Sequence, residues 1–377
     1  MASGTQGGTI TIVRGRLLWF HHEPLGADDE ASFILIEDGG LVCRNGRIAW
    51  VGDWSDLPAD HRGADYADHR PHLIVPGFID PHIHFPQGQV VASYAGSLLE
   101  WLNTYTFIEE QRYGDPRFAA TMAKRFCDML LAHGTTTCVA FGSVHKGSAT
   151  ALLAEAATRN MRLVTGKVMM DRNAPEALTD TAQSGYDDTK ALIERWHGRG
   201  RAGYAISPRF AITSSPQQLE MAGALATEHP DCHIQTHLSE NREEIAFAAS
   251  LYPEASDYLN IYERYGLLGG QMLLGHCIHL EEREVQYLAE TGAHPVFCPT
   301  SNLFLGSGLL FLAMMFASSA VGTALSHGDP ALSGFGLDLQ VVLSRTYALR
   351  MAAVFIGTPG EGGAKESTLK VALLKSR

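Results

Sequence analysis

Residues 75 to 87 read VPGFIDPHIHFPQ, with His82 and His84 two positions apart at the end of an apolar run, LIVPGFI, that has the length of a buried strand. In a strand, side chains two apart point the same way, so both imidazoles face one side, as two ligands of one metal ion must. Three further segments carry parts for the same site: QTHLSEN with His237 and Glu240, LLGHCIHL with His276 and His279, and CPTSNLFLGSG at residues 298 to 308. Three or four imidazoles suit zinc or ferrous iron, whereas calcium and magnesium prefer oxygen ligands. Glu240 lies three residues beyond His237, where a carboxylate could carry protons to or from water or a substrate nitrogen. The pattern is that of a metal-dependent hydrolase, with His82, His84, His237 and His276 as candidate ligands. His279 is expected behind the ligands or at the surface.

Such ligands have to be delivered by several strands to one place. From about residue 76, short apolar segments alternate with helical ones: TTTCVAFG, RLVTGKVMMD, GYAISPRFAI, HIQTHLSE, MLLGHCIHL and AHPVFCPTS, separated by stretches such as RFAATMAKRFCDMLLAH and SPQQLEMAGALATEH. Repeated β-α alternation implies a parallel sheet, and this many units imply an α/β fold of the TIM-like (β/α)8 barrel type. Polar residues (His82, His84, Gln87, Arg209, His237, Glu240, His276, Asn302) follow the strands, which marks the active face of such a barrel. Residues 9 to 74 are β-rich, with turns expected at Glu37-Asp38-Gly39-Gly40 and Arg44-Asn45-Gly46. The expected division is a β-sandwich part at 1–75, a barrel with the metal site at 76–330, and an atypical C-terminal region at 309–377.

Composition narrows the function further. The 377 residues are 45% hydrophobic and 19% charged, with a formal net charge of -12. An acidic chain without clustered Lys and Arg is not built to hold nucleic-acid phosphates. Six cysteines without CxxC spacing indicate neither a zinc ribbon nor a disulfide framework, and fit a reducing compartment. No signal-peptide pattern opens the sequence, so the cytoplasm is expected. The apolar stretch LLFLAMMFASSAVGTAL (309 to 325) is short for a span and contains Ser, Thr and Gly, so it is expected in a core rather than a membrane.

Taken together, PGFIDPHIHFPQ, TYTFIEEQRY (104 to 113), HGTTT (133 to 137), GKVMMDRNAP (166 to 175), SPRFAI (207 to 212), QTHLSEN and CPTSNLFLGSG resemble, in order, the motifs of the amidohydrolase superfamily, and more narrowly of its guanine deaminases. The resemblance covers roughly residues 9 to 308. It implies one zinc ion on His82, His84, His237 and His276, Glu240 as proton shuttle, and Gln87, Arg209 and Phe210 gripping a purine. It also implies hydrolysis of guanine to xanthine and ammonia, and a homodimer. Lys167 is expected to be structural, since GKVMMDRNAP fits a one-metal pattern. After Gly308 the sequence departs from the family, as a shifted reading frame, a splice variant or a truncated copy would make it. The usual Gly-Thr-Asp or Gly-Ser-Asp segment is missing. Asp329, in VGTALSHGD, then stands for the family's metal-binding and proton-accepting Asp, with Asp338 as the alternative. The competing expectations are a deaminase of a pterin, cytosine or adenine-like ring, and an impaired isoform that acts as a binding or scaffold partner.

Overall fold

The computed structural model describes residues 9–22, 29–308, 341–344 and 348–350. The chain divides into two compact units between Gly77 and Phe78. In the first, strands β1 (Ile10–Phe20), β2 (Phe33–Arg44), β3 (Arg47–Asp53) and β4 (Ala67–Ile74) form one sheet in the order β3-β2-β1-β4. Its small core is Ile12, Val42 and Leu57, backed by Trp50 and Trp54. The β2–β3 hairpin turns at Asn45-Gly46 as expected, both residues at positive φ, which matches the right-handed strand twist. The other expected turn is absent: β2 continues through Glu37 to Gly40, with only a shift of register against β1 between Ile36 and Gly39. Gly39 serves close packing instead, because a Cβ there would come within 2.6 Å of Leu17 Cγ. Glu37 and Asp38 pair with Arg16 and Arg14 on β1.

In the second unit, β5 (Phe78–His84), β6 (Thr135–Phe141), β7 (Arg162–Gly166), β9 (Ala202–Pro208), β10 (His233–Leu238), β11 (Met272–His276) and β12 (His294–Phe297) pair in parallel, and β8 (Val168–Met169) joins β9. This is the TIM-like barrel arrangement, with seven parallel strands in a continuous path among the described residues. Every residue of β9 is buried, as expected of a parallel strand covered on both faces. Val341–Ser344 (β13) pairs antiparallel with β12, and Ala348–Arg350 (β14) pairs antiparallel with β13. The segment VGTALSHGD (321 to 329) and the apolar 309–325 lie outside the described residues, as do Asp329 and Asp338. No described helix is long and apolar enough to cross a membrane.

The apolar run LIVPGFI proves to be two strands rather than one. Ile74 ends β4, and Phe78 begins β5, so the Pro-Gly break separates the units and both histidines sit inside a fresh strand. The helices are α1 (Leu98–Trp101), α2 (Phe107–Gln111), α3 (Pro116–Ala132), α4 (Lys146–Thr158), α5 (Ala182–Trp196), α6 (Pro216–Glu228), α7 (Arg242–Leu251), α8 (Tyr258–Glu263), α9 (Glu282–Thr291) and α10 (Pro299–Phe304). The two stretches read as helical start where their caps dictate. Asp115 accepts from the Arg117 N–H ahead of Pro116, and Ser215 accepts from the Gln218 N–H ahead of Pro216. Inside the barrel, a polar layer lies below the strand ends. Gln235 Nε2 donates to Ser207 Oγ (2.8 Å) and to the Ala140 carbonyl (3.2 Å), and Thr165 Oγ1 donates to the same carbonyl (2.6 Å). These bonds tie β6, β7, β9 and β10 together beneath the candidate site.

Candidate active site

β5, β10 and β11 bring the four candidate histidines together. The ligand-capable atoms of His82, His84 and His237 lie within 4.8 Å of one another. His84 Nε2 faces His237 Nε2 at 2.9 Å, and the His82 ring centroid lies 5.1 Å from that of His276. His82 needs room in the strand opposite: a Cβ at Gly275 would sit 2.3 Å from its Cε1. That close approach accounts for the glycine directly before His276.

Burial among these rings lowers all four imidazole pKa values. His82 falls to about 4, helped by the charge of Arg209, and His84, His237 and His276 fall well below their ordinary value, with neighbouring rings adding to the effect. Neutral imidazole is the form that binds metal. His237 Nδ1 lies 2.7 Å from the Arg209 carbonyl, which can only accept, so Nδ1 carries the proton and the Nε2 lone pair is aimed into the cluster. The donor set therefore fits a zinc-like ion. His276 Nε2 lies 3.2 Å from Glu240 Oε2, and its Nδ1 is 2.8 Å from the Asn302 amide. Nε2 can be a ligand when Nδ1 keeps the proton and Asn302 turns its carbonyl toward it.

Glu240 follows β10 at the start of α7. Burial, then the nearby Glu244 carboxylate, raises its pKa well above the usual carboxylate range. Glu244 closes a capping box on α7 with Asn241, and its Oε2 accepts from the Glu240 N–H (2.9 Å) and the Asn241 N–H (3.0 Å). The Tyr258 hydroxyl donates to its other oxygen (2.8 Å). The motif N-x-x-E was legible at 241–244, although its bearing on Glu240 was not. Ser239, His276 and Cys277 all have positive φ, a backbone strain gathered at the strand ends that carry the site.

Gln87, Arg209 and Phe210 line the same cavity of about 430 Å³, together with the histidines, Glu240 and Trp101. Phe210 is also part of the hydrophobic core. Arg209 is almost wholly buried and pairs with Glu110 of α2, a residue that sequence reasoning did not single out. Both glutamates of FIEEQ are buried, and nothing in that helical text marks Glu110 rather than Glu109 as the partner of Arg209. Lys167 pairs with Asp180 and is buried, in keeping with a structural role. His279 Nε2 meets the Ser307 carbonyl at 3.0 Å, so it braces the segment after α10. A second set of metal-ligand types, His197, Asp231 and Cys232, is satisfied without an ion. His197 Nδ1 accepts from the Tyr204 N–H, which leaves Nε2 protonated and facing Asp231.

The model of the amidohydrolase family matches residues 73–347, and that of a bacterial imidazolonepropionase-like composite domain matches residues 39–64. The guanine deaminase of Escherichia coli (strain K12) is 49% identical over 309 residues, which cover 81% of this chain and 70% of that protein. This chain belongs to the amidohydrolase family, among its guanine deaminases. The amidohydrolase is similar as well to a probable guanine deaminase of Deinococcus radiodurans, at 40% identity over 87% of this chain and 75% of that protein. A solved guanine deaminase of C. acetobutylicum with guanine in its active site superposes with a TM-score of 0.74 at 31% identity, covering 82% of this chain and 73% of that one.

Proposed function

We propose that this amidohydrolase deaminates guanine: water adds at C2, the C2–N bond to the exocyclic amine breaks, and xanthine and ammonia leave. The observation that carries the reading is one cavity lined at once by four neutral histidines, a proton-holding glutamate and the Gln87–Arg209 pair. His82, His84, His237 and His276 would hold a zinc ion, with Asp329 as the carboxylate ligand and base. Zinc bound there would act as a Lewis acid, polarising water so that it becomes a nucleophile near neutral pH.

The chain's own groups do the rest. Glu240, whose proton affinity is raised by burial and then by Glu244, is the group placed to carry protons from water to the purine ring nitrogen and to the departing amine. Arg209 and Gln87 hold the ring edge, and Phe210 is the candidate for stacking on its face. The net charge of -12 without clustered Lys and Arg supports a free base rather than a nucleic acid as ligand, six cysteines without CxxC spacing support a reducing cytoplasm, and the family resemblance supports a role in purine breakdown and a homodimer.

The test is guanine-to-xanthine conversion, followed by ultraviolet absorbance, on zinc-loaded protein beside Glu240→Gln. Turnover by the parent and a loss of about 10³-fold or more in the variant, with zinc still bound, is the expected outcome. No conversion by the zinc-loaded parent would refute the reading.

A further inference from the structure

Glu110 is fully buried, and both of its oxygens are already engaged. Arg209 Nη1 donates to Oε1 (3.0 Å) and Oε2 (2.8 Å), and Gln87 Nε2 donates to Oε1 (3.2 Å). Arg209, in turn, lies with its guanidinium carbon 5.4 Å from the Phe107 ring centre, on the same helix as Glu110. A primary amide such as Gln87 can offer a ligand either its donor or its acceptor end. A carboxylate facing a guanidinium can only accept, so Glu110 takes one N–H of the Gln87 NH2 and fixes which way round the amide sits.

We propose that Glu110 is a positioning residue that sets the substrate's hydrogen-bond polarity. With the Gln87 NH2 turned to Glu110, the amide cannot flip and its carbonyl is the acceptor held for a ligand, while Arg209 can only donate. The pair therefore reads a ring N–H next to a ring carbonyl, the lactam edge of a 6-oxopurine. It rejects the reversed edge of a 6-aminopurine, whose ring nitrogen accepts and whose amine donates. Rejection of this kind is costly for the wrong ligand because buried polar groups are left facing their own kind. The inference rests on the purine reading of the cavity and deepens it.

The experiment is calorimetric binding of hypoxanthine and of adenine to the zinc-loaded full-length protein and to Glu110→Gln and Glu110→Asp. Hypoxanthine carries the lactam edge without the 2-amine, so binding is read without turnover. The parent should prefer hypoxanthine. In Glu110→Gln the new amide can give its carbonyl to Arg209 and its NH2 to Gln87, which lets Gln87 reverse, and the preference should fall at least tenfold with zinc content unchanged. Glu110→Asp keeps a charge opposite Arg209 but withdraws the acceptor by one methylene; it should fold if Glu110→Gln does not, and lose several-fold of the preference. A parent without preference, or folded variants that keep the parent's ratio, would overturn the proposal. A merely structural role would weaken both ligands alike. Guanine turnover judges the chemistry separately: turnover without ligand preference sinks only this inference, and preference without turnover sinks only the deamination.

Discussion

His84 and His237 meet nitrogen to nitrogen at 2.9 Å, and burial with ring-to-ring repulsion keeps both uncharged. With His84 protonated on Nδ1, both Nε2 lone pairs face one small space that a cation would share, whereas the other tautomer lets His84 donate to His237. His84→Ala and His237→Ala should each abolish stoichiometric zinc by metal analysis after dialysis. His276→Ala should weaken zinc affinity by about tenfold, because the imidazole is shared with Glu240 and oriented by Asn302. Equal zinc content in His84→Ala and the parent would remove His84 from the ligand set. Glu110 belongs to the same scale, since one carboxylate engages both Gln87 and Arg209.

At the scale of elements, the site depends on how closely β5 approaches β11. Gly275→Ala places a methyl group against the His82 ring, so zinc affinity should fall at least tenfold, and the overpacking should cost about 1–3 kcal/mol in a thermal or denaturant melt. Unchanged metal binding in that variant would mean that His82 can move without consequence. The strands and their histidines were legible because period-two spacing and short apolar runs are local signals; β6, β9 and β10 lie where TTTCVAFG, GYAISPRFAI and HIQTHLSE put them. What was not legible depended on partners far along the chain. Gly39 looked like a turn residue because its sequence neighbours are Asp and Gly, yet it answers to Leu17 across the sheet. Glu110 looked like any helical glutamate, yet it answers to Arg209, ninety-nine positions away.

Over the whole molecule, Glu244 links the site to the stability of the fold. Burial raises its pKa from the ordinary carboxyl value near 4.5 to about 7. A carboxyl held protonated in the folded state gives stability that is fully present below the unfolded value and is lost as pH rises through the folded one, so this contribution declines from about pH 4.5 to 7. Glu244→Gln keeps an acceptor for the Glu240 and Asn241 N–H groups without the ionisation. Its melting temperature should change less than the parent's across that window, and parallel curves would dismiss Glu244 as the titrating group. The ends of β10 and β11 are also joined by main-chain bonds: the Cys277 N–H donates to the Leu238 carbonyl, and the Ile278 and His279 N–H groups both donate to that of Ser239. Glu240 and His276 therefore flank one seam of peptide groups, and neither can leave its place without parting it. Those three amide hydrogens should exchange with deuterated water at one common slow rate, a clock that counts each time the protein opens its own reaction chamber.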